Sequence, residues 1–198
     1  EIRFCDWSSD VCSSDLVVRQ RVWNEAVVAG IAHGRIQEAI DHQRAGCFVH
    51  FYRPDAPVRS NMRIKNVPGQ LVVLSGQVKH KDCKTPLDNA VVELWHCDGK
   101  GVYDNDSPDF NYRAKTYCDK NGRYSFKTII PVPYDVGNGF IRPAHFHMMI
   151  SAKGYQNLIT QLYFTGDKHI ATDASASLPA AKRRILDIKP VLDRKSVV

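Results

Sequence analysis

Arg142-Pro143-Ala144-His145-Phe146-His147 holds two imidazoles two residues apart, and Tyr103 and Tyr134 stand upstream of it. If residues 144–150 form a strand, His145 and His147 point to one face, because strand side chains alternate with period two. Two imidazoles on one face, joined by phenols from neighbouring loops, make an N2O2 pocket for a single metal ion. Phenolate is a hard, anionic donor that favours a highly charged ion, and ferric iron suits it best. Each feature alone has a plainer reading. His-x-His on a strand is more often structural than metal-binding, Tyr103 is equally a loop aromatic capping a sandwich, and Tyr134 equally a core tyrosine. A zinc hydrolase built on His145 and His147 lacks a third histidine or carboxylate at suitable spacing.

Strands must do the positioning. Residues 71–78 are apolar and β-branched, 82–89 read as a turn, and 90–96 as a second strand. Asp119-Lys120-Asn121-Gly122 is a hairpin turn into a strand over 123–129. Residues 144–151 and 158–164 supply two more strands, and 180–188 read as a short closing helix or a truncated strand. Several short strands punctuated by Gly, Asn, Asp and Pro predict a mainly β fold, an antiparallel β-sandwich over residues 67–192. Ahead of it, Val18, Val22, Val27, Val28, Ile31, Ile36 and Ile40 recur at loose three-to-four spacing. That spacing predicts a short N-terminal helical region over 17–45, broken near Gly30 and Gly34. An extended arm completes residues 17–66, because Arg53-Pro54-Asp55-Ala56-Pro57 disfavours helix.

The ends of the chain read differently. Residues 1–16 contain Asp6-Trp7-Ser8-Ser9-Asp10-Val11-Cys12-Ser13-Ser14-Asp15-Leu16, which resembles a translated short-read sequencing adapter. Residues 193–198, Asp193-Arg194-Lys195-Ser196-Val197-Val198, resemble the opposite adapter. Segments of that origin are not native and say nothing about how the native chain folds; the plainer alternative is a disordered Ser/Asp-rich tail. The natural N-terminus is then expected to be missing and the sandwich to be truncated at its C-terminal end, so the lack of a leader carries no meaning. The net charge is +6, and +8 without the two ends. That balance suits anionic ligands, but no Lys/Arg run is interleaved with aromatics, so no nucleic-acid partner is expected. No apolar run is long enough to span a membrane, so no membrane partner is expected and a soluble, cytoplasmic location is favoured. Cys47, Cys83, Cys97 and Cys118 form no C-x-x-C pair and are expected as thiols.

Taken in order, four stretches carry a resemblance. They are Val92-Glu93-Leu94-Trp95-His96-Cys97-Asp98 with Gly101-Val102-Tyr103, Thr128-Ile129-Ile130-Pro131-Val132-Pro133-Tyr134, the opening hexapeptide, and Thr160-Gln161-Leu162-Tyr163-Phe164. Together they resemble the intradiol ring-cleavage dioxygenases over residues 52–190. The resemblance implies a non-haem Fe(III) enzyme with one iron per chain. Such an enzyme uses O2 to cleave a catechol-type ring between its two hydroxyl-bearing carbons, giving a cis,cis-muconate-type diacid. It implies Tyr103 as the equatorial tyrosinate and Tyr134 as the axial one, displaced by substrate with a proton. His145 and His147 become the imidazole ligands, Arg142 lies beside the substrate ring, and Gln161 lies near the coordination shell; His96 is read as structural. Members are usually dimers or larger, which implies a homodimer or higher oligomer, with residues 17–45 available for the contact. Two departures stand out. Cys83 occupies a turn where relatives often carry Gly, and Val136 replaces the Trp of protocatechuate-type members, which argues against that substrate. The rival is a non-enzymatic binding module, a β-sandwich of the transthyretin or carboxypeptidase-regulatory type. Such a module has no reason to keep Tyr103, Tyr134, His145 and His147 together.

Overall fold

A computed structural model describes residues 2–3, 25–29, 51–64 and 67–189. The strands are β1 (Ile2–Arg3), β2 (Glu25–Ala29), β3 (Leu71–Gln77), β4 (Lys79–His80), β5 (Val91–Trp95), β6 (Arg113–Tyr117), β7 (Arg123–Ile129), β8 (Tyr134–Asp135), β9 (Ile141–Arg142), β10 (His145–Ser151), β11 (Leu158–Phe164) and β12 (Ile185–Lys189). Eight of them run in the hydrogen-bonded order β6-β5-β10-β11-β12-β2-β3-β7. The pairs are antiparallel except β11 with β12 and β2 with β3. The fold is a β-sandwich: Val72, Leu74, Tyr124 and Phe126 of β3 and β7 share one core with Val92, Leu94, Ala114, Phe146, Met148 and Leu162 of the facing strands. The arm at 58–61 bridges both layers, pairing Val58 with Lys115 of β6 and Asn61 with Lys127 of β7. It thereby covers backbone groups that two edge strands would otherwise expose.

The core aims the chemistry. Phe146, Met148 and Ile150 of β10 are 0 % exposed on the inner face. Each contributes about 1.5–3 kcal/mol by leaving water. A one-residue slip of register would turn all three outward. The alternating residues His145, His147 and Met149 are thus held on the opposite, outer face of the same strand. They too are buried, because loops cover that face.

Several expectations are corrected. Glu25–Ala29, inside the stretch expected to be helical, is a strand between β12 and β3. Its Val27-Val28 pair suits a ladder hydrogen-bonded on both sides, and tertiary pairing overrides a loose helical period; the rest of 17–45 lies outside the described residues. Residues 180–188 are both alternatives in series, a 3-10 helix over Pro179–Arg184 and then β12. β6 was missed because Arg113-Ala114-Lys115-Thr116-Tyr117 is nearly all polar, and pairing with β5 makes it a strand. Cys97 and Cys118 are buried free thiols, whereas Cys83 is disulfide-bonded; Cys47 lies outside the described residues. Cys83 also takes φ +59 in its turn, the left-handed conformation for which Gly is best suited.

His96 is a core residue. Its ring is 1 % exposed, with Nδ1 2.7 Å from the Cys97 carbonyl and Nε2 2.7 Å from the Thr128 hydroxyl. Burial pushes its pKa down to about 4. Between that value and the unfolded imidazole near 6.5, the unfolded chain binds the extra proton, so stability falls as pH falls through this window. His96→Gln is expected to remove about one proton, or ~1.4 kcal/mol per pH unit, from the slope of stability against pH. Denaturant titrations of metal-free protein from pH 7 to 4 measure it, and an unchanged slope would show that His96 does not titrate this way.

Candidate metal centre

The outer face of the β5-β10-β11 layer forms the floor. Trp95, His147 and Gln161 sit side by side in one row, and His145 is opposite Tyr163 in the next. His145 Nε2 and His147 Nε2 lie 3.1 Å apart. The Pro143 carbonyl, 2.7 Å from His145 Nδ1, accepts that nitrogen's proton and leaves the Nε2 lone pair facing the pocket. The ring of His147 is clamped between two neighbours. Trp95 stacks on it at 5.0 Å and 7°, and the Gln161 amide lies 3.4 Å from its Nδ1.

Both phenols come from loops. Tyr103, in the β5–β6 connection, places its hydroxyl 3.4 Å from His145 Nε2, with Phe51 stacked on its ring at 4.5 Å. Tyr134 opens the β8–β9 hairpin, where it pairs directly with Arg142. Residues opposite each other in such a pair project to the same side, so the hairpin delivers a phenol and a guanidinium together. The two tyrosine rings meet edge to face at 5.5 Å. Gly101 permits this approach: it takes φ +83, and a Cβ there would lie 2.8 Å from the Tyr134 Cβ.

A second layer of contacts was not legible in the sequence. Arg142 Nε donates to Asp173 Oδ2 at 2.7 Å, and its Nη2 donates to Gln161 Oε1 at 2.9 Å. The Tyr163 hydroxyl donates to the same Gln161 oxygen at 2.6 Å. Asp167 Oδ2 accepts the Ala144 N–H at 2.7 Å. Two carboxylates of one connection therefore grip residues 142 and 144, on the approach to His145. No local motif marks these aspartates; only the return of the chain after β11 brings them in. Of the sequence-derived set, Tyr103, Tyr134, Arg142, His145, His147 and Gln161 all converge here, while His96 lies on the core side.

The donor set fits a trivalent ion. Burial, followed by the charge of Arg142, lowers the pKa of His145 to about 3, and burial drives His147 well below its usual value. Both imidazoles are therefore neutral at working pH, as ligation requires. Burial raises both phenols, Tyr103 well above the ordinary value, so each needs a strong local positive charge to ionise. Two nitrogens bound to one ion at about 2.1 Å and at right angles would stand about 3 Å apart, which matches the Nε2 separation. Among the described residues no group of three or more His, Cys, Asp or Glu gathers, so further donors to an ion here would have to be of another kind, such as the two phenol oxygens.

Known proteins carry the same arrangement of chain. The dioxygenase family profile matches residues 48–196. A catechol 1,2-dioxygenase of Acinetobacter lwoffii is 38% identical over 122 residues, covering 54% of this chain and 44% of that protein. Among solved structures, 3-chlorocatechol 1,2-dioxygenase from Rhodococcus opacus 1CP superposes with a TM-score of 0.62 at 26% identity, covering 70% of this chain and 61% of that one. The dioxygenase domain of a carbohydrate-binding fusion from Streptomyces sp. SirexAA-E gives a TM-score of 0.58 at 27% identity, covering 72% of this chain and 91% of that one. The chain spans about half the length of the curated relatives it matches. No helix among the described residues is long and apolar enough to cross a membrane. With a profile match over most of its length and a shared fold, the chain belongs to the intradiol ring-cleavage dioxygenase family.

Proposed function

We propose that this chain is the catalytic sandwich of an enzyme that cleaves a catechol-type ring between its hydroxyl-bearing carbons with O2. Tyr103, Tyr134, His145 and His147 would hold one Fe(III) per chain. The observation that carries the reading is the convergence of two neutral imidazole nitrogens 3.1 Å apart with a buried phenol 3.4 Å from one of them. When bound, the ferric ion supplies a positive centre that draws in both catechol oxygens as a dianion and makes the ring electron-rich enough to meet O2.

The protein's own groups divide the remaining work. Tyr103 is fixed, 8 % exposed and stacked under Phe51. Tyr134 is partly exposed on a two-residue strand whose hairpin tip carries the open residues Val136 and Phe140. Of the two phenols, Tyr134 is the one placed to swing away and carry off a substrate proton. Burial raises its pKa, which makes its phenolate a stronger base than an exposed one. Burial pulls the guanidinium of Arg142 down, but Asp173 and the nearby phenols outweigh it and keep it charged. From the same hairpin, that charge faces the negative charge that grows on the substrate. Gln161 orients His147 and anchors Arg142. A homodimer or larger assembly belongs to the same proposal.

The test uses purified, iron-loaded protein. It is expected to be red to burgundy from tyrosinate-to-iron charge transfer and to consume O2 with catechol, hydroxyquinol or both, more readily than with protocatechuate. A colourless protein holding stoichiometric iron would reject two tyrosinate ligands, and absence of O2 uptake with all three diols would reject the activity.

A further inference from the structure

We propose that Asp173 is a positioning residue for Arg142, holding one edge of its guanidinium so that the other edge is presented to the bound diol; this rests on the activity proposed above. Arg142 stands on a two-residue strand next to an exposed hairpin tip, so its backbone does little to fix a long side chain. Two contacts fix the guanidinium instead. Nε donates to Asp173 Oδ2 at 2.7 Å and Nη2 donates to Gln161 Oε1 at 2.9 Å, which occupies one edge of the planar fork. Nη1 makes neither contact.

Asp173 is built to hold rather than to react. Its side chain is 5 % exposed, against 17 % for Arg142. Its second oxygen, Oδ1, accepts the backbone N–H groups of Ser175 at 2.9 Å and Ala176 at 2.7 Å. The carboxylate is therefore anchored in its own turn by one oxygen and grips Arg142 with the other. That division of labour separates two possible roles. A merely structural aspartate would use only Oδ1, and its loss would loosen the 173–176 turn regardless of what stands at 142. A positioning aspartate acts through Oδ2 and matters only while Arg142 is present.

Asp173→Asn distinguishes them. The asparagine keeps an oxygen for Ser175 and Ala176, but turns an amide N–H toward the Arg142 Nε–H, donor against donor. Asp173→Asn, Arg142→Ala and the double variant are compared with the wild type as iron-loaded proteins. The measurements are iron stoichiometry, thermal midpoint, anaerobic optical titration with 4-nitrocatechol, and O2 uptake with catechol. Asp173→Asn is expected to keep its iron and its fold, to bind 4-nitrocatechol more weakly, and to lose about 10–100-fold in turnover, as a misplaced catalytic group does. In the Arg142→Ala background the same change is expected to cost less than about twofold, because residues that act through one another are not additive. Asp173→Glu, which restores the charge with a longer reach, is expected to recover part of the loss. Equal losses in both backgrounds, or wild-type turnover and binding in the single variant, would overturn the proposal. Failure of the wild type itself to bind or cleave any diol would instead overturn the activity on which it rests.

Discussion

Tyr103→Phe is expected to lower iron affinity by more than about 100-fold and to bleach most of the charge-transfer colour, because 100-fold is already the upper range for losing a mere outer-shell partner of a metal site. The substitution is clean. Phe keeps the ring that stacks on Phe51 and meets Tyr134, and removes only the oxygen 3.4 Å from His145 Nε2. Its fold should therefore survive, and in metal-free protein the thermal midpoint should stay near wild type or rise, since a buried hydroxyl has been exchanged for an apolar edge. His145→Ala is expected to lose iron as completely, but with a stability cost. It leaves the Pro143 carbonyl without its ring N–H partner and opens a void under Tyr134 and Tyr163, both of which touch the His145 ring. Iron stoichiometry after dialysis, read beside the visible spectrum, separates the two effects. Full iron and unchanged colour in Tyr103→Phe would remove Tyr103 from the ligand set.

The face shared by His145 and His147 was legible in the sequence because it follows from strand period alone, once Phe146, Met148 and Ile150 are seen to fill the inner side. The strands at 123–129 and 158–164 were legible for the same reason: alternating or continuous apolar runs between turn residues. What stayed hidden depends on which segments pair. Tyr134 read as a loop residue, yet it is hydrogen-bonded opposite Arg142 across a hairpin. Asp167 and Asp173 carry no mark in the sequence, yet one accepts the Ala144 N–H and the other holds Arg142. Trp95 read as part of a family motif, and its role as the plate behind His147 needed the β5–β10 register. Glu25–Ala29 shows the opposite failure, in which valines at loosely helical spacing pair as a strand because two neighbours offer a ladder. In each case the partner was the hidden part, since which strands and loops meet is set by the fold and leaves no local mark.

Arg142→Ala is expected to do what neither ligand variant does: keep iron and colour while turnover falls about 10²–10³-fold, the usual cost of removing one preorganised donor from developing negative charge. Retention of iron follows from geometry. Arg142 bonds Asp173 and Gln161 rather than the four donor side chains, and its charge favours both phenolates only as a lesser influence beside burial. The variant strands Asp173, 7 % exposed, without its counter-ion, and breaking a buried pair from one side costs about 3–5 kcal/mol. A lower thermal midpoint is thus expected and must be separated from the loss of turnover. Arg142→Lys does so. Lysine keeps the charge and spares Asp173, but its single ammonium cannot reproduce the planar fork that spans Asp173 and Gln161. Turnover in Arg142→Lys should therefore fall between the wild type and Arg142→Ala while stability returns most of the way. Wild-type rates in Arg142→Ala would make the residue a structural pin for the loop after β11, and full activity in Arg142→Lys would show that charge alone, without orientation, is what the substrate meets.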